Sequence, residues 1–175
     1  MIESLSLEDQ VNLIKKKEIK IIELVDFYLD RVEKFNGTLN AIINLKDFDE
    51  IRDIARLKDK SLESNLPLNG IPFAIKDVFD VVGFPTSEGL NINKNNLPKR
   101  NSIFVNRLQK NGAIIIGKTN TSELAIGSHT VNKIFGPTAN PYNPSLSAGG
   151  SSGGAATAVS MNLVPCSDGS DMMGS

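Results

Sequence analysis

Residues 147–156 read SAGGSSGGAA, and whether this stretch is a tether or part of a folded unit decides how the chain is read. Its composition alone suits a flexible Gly/Ser linker. Its neighbours do not. An Ala-rich, helix-forming segment (residues 152–161) follows at once, and then an apolar run, residues 163–166. Glycines placed inside such a unit let one backbone approach another closely and allow φ values that other residues resist. Two serines held there, Ser151 and Ser152, are positioned and not merely solvated.

Working outward, the segment sits at the end of an alternating pattern. GIPFAIKD (residues 70–77) is a short strand-like run that delivers Lys76 at its end. Residues 102–109 read as a helix, Asn111-Gly112 as a turn, residues 113–116 as a strand and 121–126 as a short helix. A turn-rich section with Pro137, Pro141 and Pro144 precedes the helix at 152–161, and 163–166 reads as a strand. Strands separated by helices point to an α/β sheet.

The N-terminal residues 1–66 read as a helical segment. Ser6 caps a first helix with Leu7, Val11 and Ile14 on one face and Lys15, Lys16 and Lys17 near its C-terminal end. A broad stripe of Ile21, Ile22, Leu24, Val25, Tyr28, Leu29 and Val32 predicts a second helix ending near Asn36-Gly37. Residues 39–45 (LNAIINL) suit a buried strand. Residues 47–60 are helical again, with Ile51, Ile54 and Leu57 on one face, and 61–66 is a mostly polar connection. The expectation is one domain over 1–175: a helical segment at 1–66 and an α/β core at 67–175, a mixed sheet flanked by helices.

Composition narrows the function classes. With Lys plus Arg at 19 and Asp plus Glu at 20, the net charge is −1, which gives no electrostatic reason to expect nucleic acid or an anionic membrane as partner. The single Cys166 cannot form an internal disulfide, and the single His129 cannot build a His-rich metal site. Cys166 is expected as a small buried residue and His129 as a capping or packing residue. The N-terminus lacks the apolar core of a secretory signal. No stretch approaches the roughly 18 apolar residues of a spanning helix. A cytoplasmic protein without metal or organic cofactor is the expectation.

Two phosphate-loop patterns fail on inspection. Residues 112–119 (GAIIIGKT) match G-x-x-x-x-G-K-S/T letter for letter. The interior Ala-Ile-Ile-Ile wants to be a buried strand, whereas a phosphate cradle needs a flexible loop. SAGGSSGGAA offers no placement of G-x-G-x-x-G that finds all three glycines.

GIPFAIKD around Lys76, GGSSGG around Ser151 and Ser152, and DGSDMMGS (residues 168–175) ending at Ser175 together resemble the amidase signature family. GKTNTSELAIG (117–127) and FGPTANPYNP (135–144) are similar to that family's intervening sequence. The likeness is strong over 68–175 and looser before it. Each string alone is moderately specific, and their shared order and spacing make the match highly specific.

The resemblance implies an amidase-signature fold, incomplete in this chain, and hydrolysis of a carboxylic acid amide to acid and ammonia or amine. Ser175 would be the nucleophile, Ser151 the bridging serine and Lys76 the base, with Gly150–Ser151 expected to be cis. The types suit the chemistry, because a serine needs a positioned base and a lysine serves as one only if burial lowers its pKa. Ser152 is expected to orient the lysine. Backbone N–H groups of Met172, Met173, Gly174 and Ser175 map to the oxyanion hole, although Met172-Met173 replaces the family's commoner Thr-Gly or Ile-Gly. Ala125 falls at a substrate-pocket position, and Asp171 is expected to hold a turn.

The family continues for several hundred residues beyond its nucleophile, so the chain ending at Ser175 is expected to be inactive and poorly stable by itself. The implied partner is a small-molecule amide, with no nucleic acid bound directly and no membrane; a homodimer or amidotransferase subunits are candidate protein partners. The alternatives are the amidase subunit of a glutamyl-tRNA(Gln) amidotransferase, with DGSDMMGS closer to stand-alone amidases, and a non-catalytic remnant or interaction fragment.

Overall fold

Ser6 begins the first helix as its position implied. In the computed structural model, which describes residues 2–61 and 65–171, the Ser6 hydroxyl accepts the Asp9 N–H at 3.1 Å. The Asp9 carboxylate in turn accepts the Ser6 N–H at 3.2 Å. This reciprocal pair satisfies two groups that a helix start leaves open, and α1 (Leu7–Lys15) follows. Helix α2 (Ile21–Leu39) buries Leu24, Val25, Tyr28, Leu29 and Val32. It runs past Asn36-Gly37, where the sequence pattern places its end. Leu39 is buried and keeps the last turn on the core. The stop comes at Asn40, whose φ of 50° is left-handed. The Asn36 side chain then receives the Ala41 and Ile42 N–H groups at 3.1 and 2.8 Å.

Of residues 39–45, only β1 (Ile42–Ile43) pairs as a strand. Helix α3 (Phe48–Lys60) opens on Asp47, whose carboxylate accepts the Asp49 and Glu50 N–H groups. Strand β2 (Pro72–Lys76) is buried along its whole length, and α4 (Ile103–Lys110) starts at Ser102 as expected. Strand β3 (Ile114–Thr119) extends beyond 113–116 to take in Gly117, Lys118 and Thr119. The GAIIIGKT motif therefore spends its residues on a buried ladder, not on a loop able to cradle phosphate. Residues 121–126 form no α-helix. They hold a single 3-10 turn (Glu123–Ala125), in which Leu124 and Ala125 take φ of 53° and 55°.

A small antiparallel pair, β4 (Val131–Asn132) and β5 (Gly136–Pro137), precedes α5 (Gly153–Ser160). The strand expected at 163–166 is displaced. Leu163 and Val164 are buried just beyond the end of α5, and the last strand is β6 (Cys166–Ser167). The main sheet has the order β1-β3-β2-β6. Strand β2 runs parallel to β3 and β6, while β1 is antiparallel to β3. This is a mixed sheet flanked by helices. Alternation along the strands splits the apolar side chains between its two faces. Ala74, Ile114 and Ile116 pack with α2, α3 and α5. Phe73, Ile75 and Ile115 pack with Val105 of α4 and with Val81 and Phe84.

Candidate active site

Lys76 is the last residue of β2, and its side chain is fully buried. Its Nζ lies 2.7 Å from each of three hydroxyls: Ser151 Oγ, Ser152 Oγ and Ser170 Oγ. Ser170 lies just past β6, so the parallel pairing of β6 with β2 is what carries it to the lysine. Two bonds fix that approach. Ser167 Oγ donates to the Ala74 carbonyl at 2.7 Å, and the Lys76 backbone N–H donates to Asp168 Oδ1 at 2.8 Å.

The three hydroxyls are not equivalent. Ser152 Oγ lies 3.1 Å from the Ser170 carbonyl oxygen, and a carbonyl can only accept. The single Ser152 proton is therefore spent there, and toward Lys76 this hydroxyl acts as an acceptor. That geometry suits the orienting role expected of Ser152. A neutral amine has two N–H donors and one lone pair, so a second hydroxyl accepts and a third donates to nitrogen. An ammonium donates to all three. The site thus accommodates Lys76 in both protonation states, with Ser151 and Ser170 as the hydroxyls able to reverse direction.

The glycines around the serines answer to close packing. A Cβ on Gly150 would come within 2.7 Å of the His129 carbonyl carbon and 2.8 Å of the Thr130 nitrogen. One on Gly154 would stand 2.4 Å from the Asn120 nitrogen. Segment 147–156 is therefore pressed between the loops that carry Asn120 and Thr130, and the linker reading is excluded for it. The Gly150–Ser151 peptide is cis, as the resemblance implied. The Ser151 carbonyl accepts from Thr121 Oγ1 at 3.1 Å and Thr130 Oγ1 at 3.2 Å, and Thr130 Oγ1 also accepts the Gly153 N–H at 2.8 Å. Ser151 itself is buried.

Burial sets the electrostatics. Desolvation lowers the Lys76 ammonium from 10.5 to about 8, against the carboxylates of Asp168 and Asp171, which pull it back up through space. The Asp168 carboxyl is itself raised by burial, and its Oδ2 is buried with no hydrogen-bond partner among the described residues. Cys166, half-buried at the sheet edge where full burial was expected, has its thiol pushed up to about 12 by the apolar surroundings. A thiol so placed is not a nucleophile. His129 is exposed, with Nδ1 3.0 Å from Ser147 Oγ.

The fold therefore brings Lys76, Ser151 and Ser152 together across the chain. Ala125 lies on the 3-10 turn that follows β3. Met172, Met173, Gly174 and Ser175 lie outside the described residues. Ser170, Asp168 and the threonine pair join the site without a sequence signal. Ser170 stands inside the DGSDMMGS motif, yet nothing about a serine five residues before Ser175 shows that it faces a lysine on another strand. Among the described residues, no group of three or more His, Cys, Asp or Glu side chains could hold a metal. No described helix is long and apolar enough to cross a membrane.

Known proteins share this arrangement of segments. The amidase family model matches residues 23–175. The chain is 40% identical over 161 residues to a glutamyl-tRNA(Gln) amidotransferase subunit of Aromatoleum aromaticum, covering 91% of this chain and 33% of that protein. It is 39% identical over 155 residues to an acylamidase of Rhodococcus erythropolis, covering 87% and 32%. The structure of a bacterial aryl acylamidase of the amidase signature family superposes with a TM-score of 0.81 at 32% identity, over 91% of this chain and 34% of that one. The chain thus spans about a third of the length of these relatives. On both sequence and fold, this chain belongs to the amidase signature family.

Proposed function

We propose that the protein containing this chain hydrolyses carboxylic acid amides with Lys76 as base, Ser151 as proton relay and Ser175 as nucleophile. The observation that carries this reading is the buried Lys76 amine in contact with the Ser151 hydroxyl. Neutral Lys76 accepts a proton from Ser151, which takes one from Ser175 as that oxygen attacks the amide carbonyl. The proton returns along the same line to the departing nitrogen, and ammonia or an amine leaves. Water then attacks the acyl-serine and releases the acid. Backbone N–H groups at 172–175 stabilise the oxyanion, a role whose removal typically costs about 3–4 kcal/mol per donor. Water supplies the only co-reactant.

A fluorophosphonate probe tests the reading. Covalent labelling of Ser175, found by peptide mass spectrometry and lost in Lys76→Met and Ser151→Ala, is expected. Labelling that persists in both variants, or none in the parent, overturns it.

A second reading rests on the 40% identity to an amidotransferase component. In that reading the substrate amide is glutamine, and the ammonia passes to a tRNA-bound acceptor through partner subunits. Glutaminase activity that emerges only with partner subunits favours this reading. Hydrolysis of simple acyl amides or anilides by the protein alone favours the first.

A further inference from the structure

Lys118, on β3, is a second fully buried lysine, and it faces away from the serines. Its Nζ lies 3.1 Å from Asp77 Oδ1, with both side chains wholly inaccessible. Ile75 pairs in register with Lys118 and, one residue before Lys76, packs on the opposite face of the sheet; Asp77, just past β2, meets Lys118 on that face. The same Nζ donates to the Phe79 carbonyl at 2.9 Å and to Thr86 Oγ1 at 3.0 Å. Asp77 also accepts from the Ser87 hydroxyl and from the Ser87 N–H at 3.2 Å, while its backbone N–H and C=O bond Thr119 O and Glu88 N. The pair therefore ties the end of β2 to β3 and to the loop that returns over residues 79–88. Thus one buried lysine sits in hydroxyl contacts, and the other takes the nearest carboxylate.

We propose that the Asp77–Lys118 ion pair positions the Lys76 base: it anchors the end of β2 and neutralises the carboxylate adjacent to Lys76, so that Asp77 adds no net charge beside the amine. This rests on the reading of Lys76 as the base. The other charged groups facing the two lysines are Asp168 and Asp171 for Lys76 and Asp80 and Asp168 for Lys118. None of these three is a cation, so Lys118 is the group that offsets Asp77. Removing Lys118 alone leaves a buried anion one residue from Lys76 and favours the ammonium. Removing the Asp77 charge alone leaves a cation and favours the amine.

The test follows the titration of Lys76 by NMR of ¹³C-labelled lysine in Lys118→Met, Asp77→Asn and the double variant, alongside the pH profile of fluorophosphonate labelling. Lys118→Met is expected to move the Lys76 midpoint upward by about one pH unit and Asp77→Asn to move it downward, the size of one charge in a partly screened interior. The double variant should return it to near the parent value. Lys118→Arg should preserve it. An unmoved midpoint in folded single variants overturns the proposal, as does a double variant that fails to restore it. Failure of both single variants to fold also overturns it, by reducing the pair to a structural support. If the labelling is insensitive to Lys76→Met while the midpoints move as expected, the function reading fails and the coupling stands.

Discussion

Lys76 Nζ and Ser151 Oγ stand 2.7 Å apart although 75 residues separate them along the chain. The contact is buried, and two loops lock it from behind: Thr121 and Thr130 hold the Ser151 carbonyl, and the Asp168 carboxylate holds the Lys76 N–H. Rigid supports of this kind keep two side chains within hydrogen-bond reach at little entropic cost.

On the proposed reading, removing Lys76 as base should cost more than removing Ser152 as the group that orients it. Lys76→Met keeps the buried volume and is expected to slow acyl-enzyme formation by at least ~100-fold, the usual range for a lost general base. Ser152→Ala leaves Ser151 and Ser170 in contact with the amine and should cost less. Single-turnover rates with an activated amide or ester check the order, and equal losses in both variants would contradict it.

On the same reading, activity should climb as pH rises through about 8, where burial places the loss of the Lys76 proton. Stability carries the same signature. The folded value lies below the unfolded one, so between about 8 and 10.5 the unfolded chain holds the proton that the folded chain has released. Folding therefore gains from rising pH across that interval, while below it both states are protonated and the full burial cost stands. Cys166 and Tyr28, both raised to about 12, act in the opposite sense at higher pH. The comparison is therefore the difference in denaturant midpoint between parent and Lys76→Met, measured from pH 7 to 9. It should shift in the parent's favour as pH rises.

Gly150→Ala places a methyl against the backbone of His129 and Thr130. Backbone atoms at 2.7–2.8 Å cannot rotate away, so the loop must move. A loss of about 1–3 kcal/mol is expected from overpacking, together with reduced probe labelling because Ser151 moves with its neighbour. Gly37→Ala is the control. Its Cβ meets nothing within 4 Å, and it lies inside α2, so thermal melts should show it unchanged or slightly more stable.

Cys166 should be inert while the chain is folded. With its thiol near 12, almost none is thiolate at pH 8, and alkylation by iodoacetamide should be slow in buffer and fast in denaturant. Rapid native-state modification would show that the edge strand β6 opens.

Local signals carry much of the fold. The Ser6 start of α1 is legible because a cap is a contact within a few residues, and the helical ranges read at 47–60 and 102–109 begin at the residues that the structure shows capping α3 and α4. The apolar stripe of α2 is legible because its period is set by the helix itself. The end of α2 is not, because burial of Leu39 and the turn at Asn40, rather than the local Asn-Gly pair, decide where it stops. Residues 163–166 mislead because apolar content marks burial and not pairing: Leu163 and Val164 are buried, yet the strand begins only at Cys166. Residues 121–126 mislead because Leu124 and Ala125 take left-handed φ that breaks a helix, and Leu124 and Ile126 stay exposed.

By itself, the sequence determined the residue types and their order: a lysine closing an apolar strand, two serines among glycines, and a set of motifs matching one family. It could not determine that Ser170 joins the lysine, that Asp168 holds its backbone, or that Asp77 turns to Lys118 on the other face. Those are distance relations between segments far apart in the chain. Only the packing of β6 and β3 on either side of β2 creates them, and with them the dry surroundings that lower the lysine's proton affinity.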